Sequence, residues 1–359
     1  MNPIKPKIRV LIVDDSALMR KLLSAVLAAD EEIEVVGTAP DPLVAREQIK
    51  KLDPDVVTLD VEMPRMNGID FLRKIMELRP TPVVMISTLT QAGAETTLEA
   101  LEIGAVDFVA KPAELGAVAQ LGSELIPKVK AAARARVQRR AAPLQRPAPA
   151  PWRVQNGTSD KIIAIGASTG GVEALKAVLM LLPENAPPVL VTQHMPERFT
   201  AAFARRLDSE CRIRVHEAQQ NQPVERGNVY IAPGGHHLEL ARRNSGFVCS
   251  LNDGPLVSGH RPSVDVLFDS VARIAAPRAV GVILTGMGRD GANGLLAMRQ
   301  AGCATLGQDE GTALVYGMPR VAFEIGAVEA QYGLFDLSDA ILAACSPSKT
   351  SSHAAAGHS

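Results

Sequence analysis

The stretch "IIAIGASTGGVEAL", Ile162 to Leu175, poses the fold question for this chain. An aliphatic run leads into a glycine-rich turn and then into apolar residues at helical spacing, the strand–turn–helix start of a parallel α/β unit. Such a turn either cradles a phosphate on backbone N–H groups or raises a serine as a nucleophile. A dinucleotide site calls for GxGxxG and an acidic residue about 20 positions on. Here Gly166, Gly170 and Gly171 are spaced differently, and the next run, "PVLVTQHMP", ends in Gln193–His194. Gly166-Ala167-Ser168-Thr169-Gly170 instead fits GxSxG, which exposes a serine hydroxyl beside the unpaired N–H groups of a helix start.

A serine nucleophile needs a base and an acid to orient it. His194 ends the next strand and Asp290 lies just past "VILTGMGRD", so all three fall at strand-to-loop junctions. His260, in a loop, and His216, within "RIRVHEA", are rival bases. His194 packed on Met195, and Asp290 capping "GANGLLAMRQ", are the plain structural alternatives. The order Ser…His…Asp differs from that of α/β-hydrolases, although the same triad recurs on unrelated folds. A non-hydrolytic output domain binding a nucleotide or a partner is the competing reading.

Outward from this stretch, "KIIAIGA", "PVLVTQ" and "AVGVILTG" read as strands, with hairpin-like runs "NVYIAP" and "HHLELA" between them. Val264, Leu267, Phe268 and Val271 follow "RPS" at helical spacing. Residues 160–346 therefore read as a doubly wound α/β domain with an antiparallel hairpin insertion, and 347–359 as a disordered polar tail. Upstream, "IRVLIVDD", "IEVVGT", "DVVTLD", "PVVMIS" and "AVDFVAK" alternate with amphipathic stretches, which predicts a flavodoxin-like five-stranded parallel domain over 7–127. Ser16 is placed to cap the first helix. Residues 128–159 carry eight Lys or Arg and no acid around a Pro/Ala-rich middle; the beginning can continue the last helix, and the segment reads as a basic, solvated linker.

With 359 residues, 47% hydrophobic, 21% charged and a net charge of −1, the chain has the composition of a soluble two-domain protein. Nothing in this balance calls for nucleic acid or membrane insertion. The N-terminus reaches Asp14 and Asp15 too soon for a signal peptide. Cys211, Cys249, Cys303 and Cys345 lack ligand spacing, the pattern of free thiols in a reducing cytoplasm. His236 and His237 find no third ligand at a suitable interval, so a structural metal is not expected.

In the first domain Asp14 and Asp15 end one strand and Asp60 another, which gathers three carboxylates at one sheet edge. Mg²⁺ is the usual partner of such a set together with phosphate oxygens. Ser87 and Lys111 end the next two strands and add a hydroxyl and a cation. This is equipment for placing a phosphoryl group on an aspartate.

The motifs "VDDS", "LDVEMPRMNG", "VVMIS" and "AKP" resemble the receiver domain of two-component response regulators. The resemblance implies phosphorylation of Asp60 by a chemotaxis histidine kinase. It also implies Mg²⁺ on Asp14, Asp15, Asp60 and the carbonyl of Glu62, phosphoryl contacts from Ser87 and Lys111, and Phe108 as the switch aromatic. Further on, "IGASTGG", "TQHMP", "IAPGGHH", "HRPSVDVLF" and "ILTGMGRDG" resemble the catalytic domain of the chemotaxis protein-glutamate methylesterase (CheB) family. That resemblance implies a Ser168–His194–Asp290 triad, oxyanion donors at Thr169 and Met287, and no cofactor for the esterase. The implied substrates are glutamyl methyl esters, and glutamines to be deamidated, on cytoplasmic helices of chemoreceptors. An unphosphorylated receiver is expected to pack over the Ser168 edge and block it.

Overall fold

The computed structural model describes residues 6–63, 66–88, 90–112, 118–135, 137, 161–244 and 246–346. Most of the linker and the tail from 347 onward lie outside the described residues. The first domain is a five-stranded parallel sheet in the order β2-β1-β3-β4-β5. Its strands are β1 (Ile8–Val13), β2 (Ile33–Ala39), β3 (Val56–Asp60), β4 (Val83–Ser87) and β5 (Asp107–Ala110). Val10, Leu11, Ile12 and the whole of β3 and β4 are buried, as continuous apolar strands between two helix layers must be. Ser16 caps α1 (Ala17–Ala28) by accepting from the Met19 N–H, as its position predicts. Strand order reverses between β1 and β3, which places Asp14, Asp15 and Asp60 at the switch point.

The second domain carries a seven-stranded parallel sheet in the order β14-β13-β12-β6-β7-β9-β8. At its centre are β6 (Ile162–Ala167), β7 (Val189–Gln193) and β12 (Ala279–Ile283). The outer strands are β8 (Arg214–Glu217), β9 (Asn228–Ile231), β13 (Ala304–Gln308) and β14 (Ala330–Tyr332). The only antiparallel sheet among the described residues is the hairpin of β10 (His237–Arg243) and β11 (Gly246–Asn252). One expectation is corrected here. "NVYIAP" is not half of a hairpin: Asn228–Ile231 lies parallel between β7 and β8. Its Val229, Tyr230 and Ile231 are buried, so the run belongs to the sheet interior.

The start of the basic segment belongs to the last helix of the first domain. Helix α5 (Val118–Ala132) runs into it, and Lys130 pairs with Asp30 and Glu32. Lys128, on the same helix, donates to the Phe108 carbonyl at 2.6 Å.

The two domains share one apolar cluster. Phe108 of β5 meets Phe199 of α7 (Glu197–Glu210) with ring centroids 4.4 Å apart, and both rings are buried. Around this contact, Glu102 of α4 (Gln91–Ile103) pairs with Lys176 of α6 (Gly171–Leu179) at 2.6 Å and with Arg206 of α7.

Candidate active site and receiver pocket

The turn after β6 is built around two glycines. A side chain at Gly166 would meet Val264 Cγ1 at 2.1 Å, so α8 (Val264–Ala275) can approach only a glycine there. Gly170 has φ +77°, a conformation that favours glycine, and it starts α6. Between them Ser168 is held by its own N–H to Thr285 O and by its carbonyl, which accepts from Gln193 Nε2 at 2.9 Å. Gly286 lies against it, since a Cβ there would fall 2.8 Å from Ser168 Cβ.

His194 Nδ1 lies 3.1 Å from Ser168 Oγ, and its Nε2 lies 2.7 Å from Asp290 Oδ2. An ionised carboxylate only accepts, so Nε2 carries the proton and Nδ1 keeps a lone pair for the serine hydroxyl. The ring is thus used the other way round from serine proteases, where Nε2 faces the serine. Asp290 also accepts from Ser263 Oγ, the Val264 N–H and the Asp265 N–H, the last two at the free N-terminus of α8. Burial opposes its charge, but His194 and these donors outweigh burial and hold the carboxyl below the usual range. Asp290 therefore does not cap α9 (Ala292–Gln300), whose N-cap is Gly291; it serves α8 from across the sheet edge. Asp265 returns the arrangement by accepting from the Gly294 N–H of α9 at 2.8 Å.

The rival bases separate clearly. His216 bonds Asn228 on the far side of the sheet. His260 stacks on the face of His194, with ring centroids 3.7 Å apart, and makes no hydrogen bond to Ser168. His237 accepts the Ser263 N–H and bonds Pro255 O, while His236 pairs with Asp253. Among the described residues, the Thr169 and Met287 N–H groups have no acceptor within the protein.

The first domain closes over this edge. Thr169 Oγ1, next to the serine, donates to Asp107 Oδ2 of β5, and Lys128 Nζ lies 3.3 Å from Asp107 Oδ1. A cleft of about 800 Å³ runs between the domains, lined by Asp107, Phe108, Ser168, Gly170 and His194 among others. Burial works against the Glu102 carboxylate, but Lys176 and Arg206 outweigh it and hold its pKa below the usual range.

In the receiver pocket, ligand atoms of Asp14, Asp15 and Asp60 lie within 4.8 Å of one another. Lys111 Nζ is 2.7 Å from Asp60 and 3.5 Å from Asp14. Burial pushes the Asp60 carboxyl up to about 6 against the pull of Lys111, with Asp14 adding to the rise. Asp14 Oδ2 is buried and has no hydrogen bond among the described residues, although the Lys111 ammonium faces it at 3.5 Å. Three carboxylates against one lysine, one buried oxygen of them without a hydrogen bond, fit a hard divalent cation. The Glu62 N–H donates to Asp60 Oδ1, and its side chain accepts from Thr88. Ser87 Oγ makes no hydrogen bond to Asp60; it accepts from Thr97 Oγ1 of α4 at 2.6 Å.

Sequence reading missed Gln193, Thr285 and Ser263 as supports of the relay, and Asp107, Phe199 and Glu102 as interface residues. Only Ser263 left a trace, since "RPS" marks a helix start and that start is where Asp290 is held.

Comparison with known proteins identifies both domains. Residues 163–341 match the CheB methylesterase family and residues 10–121 the response regulator receiver domain. A Caulobacter vibrioides protein named protein-glutamate methylesterase/protein-glutamine glutaminase 1 is 60% identical over 338 residues, covering 94% of this chain and 97% of that one. A Dechloromonas aromatica protein of the same name is 54% identical, covering 95% and 99%. The crystal structure of the Thermotoga maritima CheB methylesterase catalytic domain superposes with a TM-score of 0.50 at 37% identity, covering 51% of this chain and 97% of that one. The chain belongs to the CheB methylesterase family, with an N-terminal receiver domain.

Proposed function

We propose that this chain is a cytoplasmic protein-glutamate methylesterase and protein-glutamine glutaminase that acts on chemoreceptor cytoplasmic helices under control of phosphorylation at Asp60. The observation that carries the reading is the continuous relay from Ser168 Oγ through His194 to Asp290, opening into a cleft lined by residues of both domains. Ser168 Oγ attacks the ester carbonyl carbon as His194 Nδ1 takes its proton. Asp290, already ionised, stabilises the imidazolium and keeps the ring oriented. The Thr169 and Met287 N–H groups receive the oxyanion, and loss of one such donor costs about 3 kcal/mol. His194 returns the proton to the departing methoxide, or to the amide nitrogen of a glutamine, so methanol or ammonia leaves. Water repeats the cycle on the acyl-enzyme and frees a glutamate.

Asp14, Asp15 and Asp60, with the Glu62 carbonyl, would hold Mg²⁺, which neutralises charge on a phosphoryl group delivered by the chemotaxis histidine kinase. Lys111 pairs with that group, and Ser87 turns from Thr97 to reach it. Ser87 and Thr97 tie β4 to α4, and α4 carries Glu102 into the interface. Phosphorylation thereby loosens the contacts of Glu102, Asp107 and Phe108 with the catalytic domain. Keeping the site closed to one part in a hundred takes only about 2.7 kcal/mol of docking.

The test is methanol release from methylated receptor membranes, with and without Mg²⁺ and a small phosphodonor. Ser168→Ala is expected to lose all release, and Asp60→Asn to lose the stimulation by phosphodonor. Release that survives in Ser168→Ala removes the esterase reading and returns the glycine turn to ligand binding.

A further inference from the structure

His260 is not explained by the relay, yet it lies against the relay's central member. Its ring stacks on His194 at 3.7 Å between centroids and 13° between planes. It reaches that position from a two-residue turn. Val257 and His260 exchange both backbone hydrogen bonds, and the turn residues Ser258 and Gly259 have φ of +53° and +81°. Positive φ at both central positions defines a tight type I′ turn, and holding a serine there is unfavourable without compensation.

The chain then runs directly to the acid. Ser263, Val264 and Asp265 donate to Asp290, so residues 257–265 touch one face of the general base and every free oxygen lone pair of its partner. His260 has no hydrogen bond to Ser168 or Asp290, and burial together with the neighbouring His194 keeps it from taking up a proton until about pH 4. What it offers His194 is an uncharged aromatic face.

Resting on the esterase reading above, we infer that His260 is a positioning residue: its ring fixes the His194 imidazole in the one orientation that points Nδ1 at Ser168 and Nε2 at Asp290. An imidazole free to rotate about χ2 would exchange or misalign these two nitrogens. A second consequence is that the neutral face lies against the imidazolium formed in the transition state, a cation–π arrangement.

A structural role would not distinguish side chains by aromaticity, and a proton-transfer role would not tolerate loss of the nitrogens. The experiment therefore uses full-length His260→Ala, His260→Asn and His260→Phe, with Mg²⁺ and phosphodonor present, and reads kcat and KM for methanol release. The alanine and asparagine variants are expected to lose about ten- to a hundredfold in kcat with KM unchanged, the scale of a misplaced catalytic group. Phenylalanine is expected to recover most of that loss. If all three variants fall equally, or alanine keeps its kcat, or the change lies in KM alone, the inference is wrong. If alanine does not fold, the asparagine–phenylalanine pair decides. Ser168→Ala run alongside separates the two claims: activity in that variant removes the esterase reading, whereas its silence leaves the His260 comparison to be judged by itself.

Discussion

Two aspartates, Asp60 and Asp290, sit at the switch points of two parallel sheets, equally buried at 1% and 2% exposure. Their chemistry diverges because of what faces them. Asp60 receives Lys111 and one backbone N–H and looks across at Asp14, and its pKa rises to about 6. Asp290 receives a ring N–H, a hydroxyl and two N–H groups at a helix N-terminus, and its pKa falls. With burial equal, the count of donors decides the sign. A carboxylate left short of donors beside another carboxylate is disposed to take up a cation or a phosphoryl group. One saturated with donors is a fixed charge.

The sharpest way to break this comparison is to neutralise the fixed charge. Asp290→Asn puts an amide NH₂ where donors already point and frees His194 to adopt the other tautomer. A loss of about 10⁴-fold in kcat is expected, by analogy with serine proteases. Unfolding should also come earlier, since a buried donor left unmade costs about 1–3 kcal/mol. Phosphorylation of Asp60, followed by phosphoprotein mobility, should proceed as in the wild type. A variant that kept its turnover would mean that Asp290 only ties α8 in place.

Much of this was legible beforehand, and the reason is local. The GxSxG turn and the DD and LD strand ends encode their geometry within a few residues, so Ser168, Asp14, Asp15 and Asp60 could be placed from pattern. His194 and Asp290 were placed by strand ends, but choosing His194 over His260 by residue pattern alone was impossible. Their distinction is one of ring face against ring edge. The run "NVYIAP" misled because a short, fully buried strand has no alternation to reveal its partner. The interface left the weakest mark: no motif sets Glu102, Lys176 or Arg206 apart, and they pair only when the domains are side by side.

That interface joins the two aspartate sites, so loosening it tests whether one governs the other. Glu102→Ala leaves Lys176 and Arg206 without their receiver partner. These side chains are 18–29% exposed, which places the pair at about 1–2 kcal/mol rather than at the value of a fully buried one. Basal methanol release without phosphodonor should rise about five- to thirtyfold, and the stimulation by phosphodonor should shrink by the same factor. Unchanged basal release would place the block elsewhere, at Asp107–Thr169 or Phe108–Phe199.

The smallest expected effect concerns the cost of keeping Asp290 charged. Asp265 lies in the first turn of α8; burial raises its pKa against the Gly294 N–H, and the charges of Asp290 and Asp269 add to the rise. The folded protein therefore holds this proton to a higher pH than the unfolded chain does. The stabilising difference is fully present below the unfolded pKa of roughly 4 and is lost as pH rises through the folded value. At neutral pH the ionised Asp265 is a penalty, which Asp265→Asn removes while an amide oxygen still accepts from Gly294. Thermal unfolding should show the variant level with the wild type near pH 4 and about 2–4 °C more stable at pH 7, equivalent to about 1 kcal/mol. A variant less stable at both pH values would show that the anion itself holds α9, and that the two helix starts are bound by charge on each side. A gain confined to neutral pH would show that the donors gathered for Asp290 were arranged at its neighbour's expense.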